Sequence, residues 1–373
     1  MRTPLCEEFG IEYPIFAFTH CRDVVAAVSK AGGLGVLGAV GFSPEQLEIE
    51  LDWIDEHIDG KPYGVDTVMP QKAVDVHGAT PDELIAQIRG MIPERHRQYV
   101  EELIARFELP ELPTGDEPHG VIGWAEDVAR AHVEIAFAHP IALLANALGP
   151  PPAGLVARAR QAGIAVAALV GQAKHARRQL DAGVDVLIAQ GTEAGGHTGT
   201  IATMVLTPEI VDIAGGRPVL AAGGIASGRQ MAAALALGAA GVWCGSVWLS
   251  SEEDVANQAL KAKFLAASSS DTLRSPTRTG KPARQLRTAW HDEWERPGSP
   301  GPLPMPLQPM LVNEAWQRID AAADAGHEGA LRLESFFIGQ VVGSFDAVRP
   351  AAEITRQLAA DCEQRIAELG GLL

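Results

Sequence analysis

The histidine of the segment E-A-G-G-H-T-G, His197, is the side chain of this sequence best suited to proton transfer. An imidazole titrates near neutral pH, so it can act as a base or as an acid. Gln190 lies shortly before it, and its amide could pair with the edge of a heterocycle because it both donates and accepts hydrogen bonds. Two structural interpretations stay open: the histidine could cap a loop, and the glutamine could be satisfied within the core.

Two glycine-containing loops could hold a phosphate group. Gly223-Gly224 ends the apolar run P-V-L-A-A, and Gly245-Ser246 ends the run G-V-W-C. Backbone N–H groups can bind an anion only where no Cβ obstructs the approach and the loop can adopt positive φ. These glycines could instead form only tight turns. Two such loops that flank one helix nevertheless favour the phosphate site found after strands seven and eight of many (β/α)8 barrels.

Short apolar runs alternate with segments of helical composition along the chain. The runs are centred near residues 15, 35, 65, 143, 166, 187, 220 and 242. Continuous apolar runs are typical of strands buried on both faces of a parallel sheet, and eight such strands make a barrel. The sequence therefore predicts an α/β fold, a (β/α)8 TIM barrel with a helical insertion after strand 3 and a C-terminal extension.

The same pattern divides the chain into three regions. We expect the barrel in residues 1–69 and 119–250, a helical insertion in 70–118, and helices and loops packed on the barrel in 251–373. Because the insertion leaves the functional end of the barrel, we predict that it is an active-site lid. In the C-terminal region we expect a helix over 252–267, an irregular proline-rich segment over 297–309 and an amphipathic helix over 351–369.

Two further ionisable side chains follow predicted strands. His20 comes after the first strand, and Asp66 stands near the end of the third. Barrel enzymes place their active sites at the carboxyl ends of the strands, so both residues are candidates for the substrate site. A turn cap or a surface ion pair would also explain either of them.

Composition excludes several classes of protein. With 47% hydrophobic and 21% charged residues, the 373-residue chain can bury a large core and is not disordered. A net charge of −17 argues against nucleic-acid and anionic-membrane partners. The four cysteines have no C-x-x-C or zinc-ligand spacing and there is no apparent signal peptide, so we expect a reduced, cytoplasmic protein. We find no H-E-x-x-H or G-x-S-x-G motif, and we predict no metal site.

Four segments together resemble the nitronate monooxygenase family, formerly called 2-nitropropane dioxygenases. They are A-Q-G-T-E-A-G-G-H-T-G, A-A-G-G-I, G-A-A-G-V-W-C-G-S and the early A-A-V-S-K-A-G-G-L-G, and the resemblance covers nearly the whole chain. It implies an FMN-dependent TIM barrel that oxidises alkyl nitronates, a small-molecule substrate, with O2 through one-electron transfer to the flavin. A homodimer is one possible assembly.

The resemblance also implies roles for individual residues. It makes His197 the active-site histidine. The flavin neighbours and phosphate-binding residues that it implies are Gln190, Gly195, Gly196, Gly223, Gly224, Gly245, Ser246 and Gln340. We expect FMN rather than FAD, because the loops supply one phosphate site and no adenosine-binding unit is visible. The chain departs from the family where F-T-H replaces the usual A-P-M and G-V-D replaces G-V-N, and both changes add an ionisable group at the barrel mouth.

The segment E-A-G-G-H-x-G also occurs in flavin-dependent enoyl-ACP reductases, which use NAD(P)H. A flavin-dependent ene or enoyl-thioester reductase, or another CoA-ester oxidoreductase, is therefore the main alternative. The phosphates of such a carrier could meet a group of basic residues: Arg274, Arg278, Lys281, Arg284 and Arg287. A third hypothesis is a flavin-storing or flavin-sensing protein without turnover.

Overall fold

The computed structural model describes residues 2–68, 81–112, 126–147, 149–152 and 154–372. Its strands are β1 (Ile15–Thr19), β2 (Leu34–Gly38), β3 (Tyr63–Thr67), β4 (Leu143–Asn146), β5 (Ala165–Val170), β6 (Val186–Gln190), β7 (Gly196–His197), β8 (Val219–Ala222), β9 (Gly241–Cys244), β10 (Thr272–Ser275) and β11 (Ala283–Leu286). Its α-helices are α1 (Pro4–Phe9), α2 (Arg22–Lys30), α3 (Pro44–His57), α4 (Pro81–Gly90), α5 (Glu94–Arg106), α6 (Glu126–Ala138), α7 (Leu155–Gln161), α8 (Ala173–Asp181), α9 (Thr203–Ile213), α10 (Gly228–Ala236), α11 (Gln258–Ala266), α12 (Ala289–Glu295), α13 (Leu307–Asp324), α14 (Glu328–Leu333) and α15 (Ala351–Gly370). Short 3-10 helices cover Ala39–Gly41, Ser246–Ser250, Ser269–Asp271 and Gln340–Ser344.

Eight strands form a closed parallel barrel in the order β1-β2-β3-β4-β5-β6-β8-β9. The barrel closes where Ile15 of β1 pairs in parallel with Val242 of β9. Each of these strands lies on one of the apolar runs, because a strand covered by helices outside and by side chains inside has no solvent-facing side. The predicted (β/α)8 fold is confirmed.

Side chains of the barrel strands alternate between the interior and the surrounding helices. Leu34 and Val36 of β2 pack in the interior, whereas Leu37 packs outside against the helices. The interior cluster also includes Leu5 and Phe9 of α1, a helix that the sequence analysis did not predict. Their inclusion means that the interior is a filled core rather than a channel.

A small antiparallel sheet joins the loop after β6 to the C-terminal extension. Its strand order is β10-β11-β7, with His197 opposite Ala283 and Gly196 opposite Arg284. Two-residue strands carry no periodic signal, so the sequence placed His197 in a loop and predicted neither β10 nor β11. The sheet fixes the position of His197 from outside the barrel.

The helices between β3 and β4 pack on the C-terminal extension. Tyr99 and Leu103 of α5 share a buried cluster with Trp294 of α12 and Trp316 of α13. The rings of Tyr99 and Trp294 meet edge to face with centroids 5.2 Å apart. Helices α4 and α5 lie within the region predicted as a helical insertion, residues 69–80 and 113–125 lie outside the described residues, and a lid function remains a prediction.

The C-terminal region differs from expectation in two places. The helix expected over 252–267 begins only at Gln258, because Asn257 caps it by accepting a hydrogen bond from the N–H of Leu260 (2.7 Å). The proline-rich segment does not stay irregular to residue 309, since α13 begins at Leu307 and accommodates Pro309 in its first turn. The final helix, α15, is confirmed.

Candidate active site

The loops that follow β6 and β8 are packed directly against each other. The N–H of Gly191 donates to the carbonyl of Ala222 over 2.9 Å. A Cβ added to Gly223 would lie 3.1 Å from the backbone N of Ala194, and Gly223 has φ +94°, which few side chains tolerate. Glycine at this position lets the two loops lie at one edge of the barrel mouth.

Glu193 holds the loop after β6 in place. Its carboxylate accepts hydrogen bonds from the N–H (3.0 Å) and the hydroxyl (2.9 Å) of Thr203, the first residue of α9. The Thr203 hydroxyl also lies 2.9 Å from the carbonyl O of Gly223. The sequence analysis gave Glu193 no role, because Glu193 and Thr203 are ten residues apart and no local capping pattern links them.

The C-terminal extension reaches the same loops through residues 338–340. The N–H of Gly339 donates to Oγ of Ser246 (2.8 Å), and the N–H of Gln340 donates to the carbonyl of Glu193 (2.9 Å). A Cβ on Gly195 would lie 3.0 Å from the N of Gly339. The structure therefore brings Gly195, Ser246 and Gln340, which lie far apart in sequence, into one cluster.

Several backbone N–H groups at this cluster have no acceptor. Among the described residues, the N–H groups of Gly223, Gly224 and Gly245 form no hydrogen bond within the protein. Ser246 begins a 3-10 helix, whose first N–H groups have no partner inside the helix. Because β8 and β9 are neighbouring strands, these N–H groups lie at adjacent strand ends and can donate hydrogen bonds to one anion.

A cleft of about 430 Å³ opens beside the ends of β5 and β6, and both Gln190 and His197 line it. Nδ1 of His197 lies 3.4 Å from the carbonyl O of Pro282. One part of the ring is open to solvent, but the surrounding protein desolvates it and lowers its pKa, with a smaller contribution from Lys281. The imidazole is therefore neutral at pH 7 and can accept a proton.

Two further side chains line the cleft: Arg274, which the sequence analysis considered only for carrier phosphates, and His175, which it gave no role. Arg274 donates from its Nη2 to the carbonyl of Thr198 (2.8 Å), while its Nε is buried without a partner among the described residues. Nε2 of His175 lies 2.9 Å from the amide N of Gln172. His175 follows the end of β5, so the strand-end argument used for His197 could have found it as well.

His20 and Asp66 lie on another part of the rim. Nδ1 of His20 lies 2.9 Å from the carbonyl O of Gly38, and Gly38 is the β-sheet partner of Asp66. Asp66 is 5% exposed, and burial raises its pKa to about 7. Its carboxylate forms no hydrogen bond with any described residue. Desolvation lowers the pKa of His20, so both groups favour their neutral forms.

The basic residues considered for a carrier do not form one patch. Arg278 stacks over the ring of Trp316 (4.1 Å), and burial lowers its pKa. Arg284 donates to the carbonyl of Thr192 (2.9 Å), and Arg287 pairs with Asp292 at the surface. These three guanidinium groups are engaged within the protein. Arg274 lines the cleft, and Lys281 is exposed beside it.

Other features lie away from this site. An open groove of about 780 Å³, lined by residues 150–152 and by Arg160 and Arg178, contains none of the predicted site residues. All four cysteines are buried, and none of them forms a disulfide. Within the described residues, no helix combines the length and apolar character needed to cross a membrane.

Comparisons with known proteins agree with this architecture. The family model described as nitronate monooxygenase matches residues 2–361. "Putative monooxygenase Rv1533" of Mycobacterium tuberculosis is 54% identical, with 100% of both chains covered. "Probable nitronate monooxygenase" of Staphylococcus aureus (strain MSSA476) is 28% identical, over 86% of this chain and 87% of that protein.

Solved structures show the same fold. Nitroalkane oxidase from Streptomyces ansochromogenes superposes with a TM-score of 0.78 at 26% identity, covering 98% of this chain and 99% of that one. FabK from Thermotoga maritima gives a TM-score of 0.72 at 26% identity, with 100% of both chains covered. The chain belongs to the nitronate monooxygenase family of oxidoreductases.

Proposed function

We propose that this protein is an FMN-dependent oxidoreductase that oxidises alkyl nitronates with O2. The observation that carries the proposal is the set of unpaired N–H groups at Gly223, Gly224 and Gly245, which have no Cβ in front of them and lie at adjacent strand ends. Such a set fits one phosphate monoester dianion. A second phosphate and an adenosine would need further donors, so the arrangement favours FMN over FAD.

The remaining residues fit the other end of a flavin. When bound, FMN would carry electrons from the substrate to O2. Gln190 would hydrogen bond to the ring edge, while the backbone at Gly195 and Gly196 and the side chain of Gln340 would lie beside the ring. The family resemblance supports these assignments, and the clustering of the loop after β6 with residues 338–340 is consistent with them.

His197 would perform the proton transfer of the reaction. If its Nδ1–H donates to Pro282, Nε2 remains an acceptor directed away from that contact. A neutral imidazole can remove the proton from the carbon beside a nitro group, which converts a nitroalkane to its nitronate. The lowered pKa keeps this base unprotonated at neutral pH.

The test is an anaerobic reaction of the flavin-bound protein, followed by flavin absorbance. We expect propionate 3-nitronate to reduce the flavin by one electron, seen as a changed absorbance spectrum, and O2 to restore the original spectrum, whereas NADPH alone leaves the spectrum unchanged. Bleaching by NADPH with turnover of an enoyl thioester, and no reaction with the nitronate, would instead establish the reductase. Mass analysis of the released cofactor decides between FMN and FAD.

One observation keeps the thioester reductase as the second candidate. Arg274 and Lys281 lie at the cleft and could bind carrier phosphates. The engagement of Arg278, Arg284 and Arg287 within the protein weakens that case, because a CoA or acyl-carrier site needs several free cations. A storage or sensing protein is tested by the same experiment, since it would bind flavin without turning over either substrate.

A further inference from the structure

Three potential metal ligands meet on the outer surface of the barrel, away from the site described above. Glu48 and Asp52 stand one helical turn apart on α3, and His139 follows the end of α6. Among the described residues, their nearest ligand atoms all lie within 4.8 Å of one another. Spacing of four residues places both carboxylates on one face of α3.

His139 is buried and oriented by a hydrogen bond to a carboxylate, as histidine ligands of metal ions usually are. Its side chain is 5% exposed, and its Nδ1 lies 2.7 Å from Oδ2 of Asp55. Asp55 is held in turn by the hydroxyl of Tyr63, which donates to Oδ1 over 2.6 Å. A carboxylate that accepts Nδ1–H fixes the tautomer with an unprotonated Nε2, which is the second-shell arrangement of histidine ligands.

The other ring nitrogen has no partner of its own. Nε2 of His139 is buried and forms no hydrogen bond with the described residues, and the nearest carboxylate oxygen is Oε1 of Glu48 at 3.8 Å. A buried polar atom without a partner is costly, so its persistence points to a ligand. Donor atoms of one Zn²⁺ lie about 3 to 4 Å apart. The His139–Glu48 separation already fits, and the exposed Asp52 side chain can rotate to join.

We propose that Glu48, Asp52 and His139 bind one divalent transition-metal ion of the Zn²⁺ class, with Asp55 as the outer-shell partner of the histidine. One imidazole and two carboxylates suit Zn²⁺ better than Mg²⁺, which prefers oxygen ligands and water. The sequence analysis missed this set because the helical pair and the histidine are separated by the insertion and match no local motif.

The position indicates a structural role. His139 lies between the end of α6 and the start of β4, so the site lies toward the amino end of that strand, opposite the cleft. A bound ion would tie α3 to α6, the helix that returns the chain to the barrel after α4 and α5.

The experiment uses the full-length flavoprotein, treated with EDTA and desalted. Zn²⁺ is titrated by calorimetry, Co²⁺ by its visible absorbance, and thermal melting is followed with and without Zn²⁺. We expect one ion per chain with a dissociation constant on the order of micromolar or below, a melting temperature raised by Zn²⁺, and no comparable effect of Mg²⁺.

Matched variants locate the site. Glu48→Gln with Asp52→Asn should weaken Zn²⁺ binding roughly 100-fold and remove the thermal shift, while Glu56→Gln, another exposed carboxylate of α3, should leave both unchanged. Both ligand substitutions are at exposed positions, and circular dichroism and flavin content verify that the variant folds. Equal binding by the double variant, or no stoichiometric binding by the wild type, overturns the proposal.

Discussion

Loss of water shifts the ionisable residues at the barrel mouth toward their neutral forms. Burial raises the pKa of Asp66 to about 7 and lowers the pKa of His20 and of His197. Neutral imidazoles and a partly protonated carboxyl make the mouth less charged than its composition implies. In the proposed reaction, an anionic nitronate would therefore be repelled less by Asp66 than by a fully ionised carboxylate.

Asp66→Asn should stabilise the protein in a pH-dependent way. The native state retains a proton on Asp66 up to about pH 7, whereas an unfolded aspartate loses it near pH 3.8. Stability therefore falls as pH rises between these values, and the full penalty, at most about 4 kcal/mol, is present above about pH 7. We expect the variant to melt higher than wild type at about pH 8 and equally at about pH 4. A difference that does not change with pH would contradict the assigned pKa.

His197→Asn should reduce turnover of neutral nitroalkanes by roughly 10²- to 10⁴-fold. Flavin content and melting temperature should stay close to wild type, because the imidazole is partly exposed and makes one long contact with Pro282. In the wild type, the acid limb of the rate profile should fall below pH 6.5, since the histidine pKa is lowered. His175→Asn, which removes an imidazole from the same cleft, is the comparison. If that variant loses the activity and His197→Asn keeps it, the base is assigned to the wrong residue.

At the scale of elements, the candidate site depends on a segment remote from the barrel in sequence. Residues 338–340 donate hydrogen bonds to the loop after β6 and to Ser246. The C-terminal extension therefore holds two loops of the proposed flavin site in place. The contact is close because position 339 is a glycine. This explains how a three-residue segment outside the barrel can set the geometry of two barrel loops.

Gly339→Ala should therefore weaken flavin binding without unfolding the barrel. Gly339 does not have a positive φ, but an added Cβ would lie 2.6 Å from the carbonyl O of Glu193 and 3.1 Å from Oγ of Ser246. The carbonyl of Glu193 is backbone and cannot rotate away, so residues 338–340 must shift away from the loop after β6. We expect at least about a tenfold rise in the flavin dissociation constant, worth about 1.4 kcal/mol. Gly41→Ala, where an added Cβ contacts nothing within 4 Å, should bind flavin normally, and equal behaviour of the two variants would exclude this role.

Sequence alone was sufficient for the elements whose signal is local. The barrel strands carry continuous apolar runs, and each of the eight strands lies on a run that the sequence predicts. The small sheet was not predictable, since the register between His197 and Ala283 joins residues far apart in the chain. The role of Glu193 in capping α9 was missed for the same reason, because the tertiary fold brings its carboxylate to Thr203.

At the scale of the whole molecule, the C-terminal extension is part of the barrel's outer layer. α15 packs on α10 so closely that a Cβ on Gly228 would lie 2.3 Å from the backbone N of Cys362. Ile354 and Leu358 of α15 share one buried cluster with Val242 of β9. α15 is therefore one of the helices that cover the barrel strands. Because it shares their core, we expect the barrel and the extension to unfold together.

Deletion of residues 351–373 should therefore abolish the folded state rather than release a stable barrel. It removes the buried side chains Ile354, Leu358 and Cys362 and uncovers the face of α10 beneath them. At about 1.5 to 3 kcal/mol for each large buried apolar side chain, the lost stabilisation approaches the whole free energy of unfolding of a typical domain, 5 to 15 kcal/mol.

A shorter deletion of residues 364–373, which are mostly exposed, should keep the melting temperature within a few degrees of wild type. Soluble yield, thermal melting and flavin content are the measurements. A flavin-bound, cooperatively melting protein without residues 351–373 would show that the barrel is autonomous and that α15 only covers it.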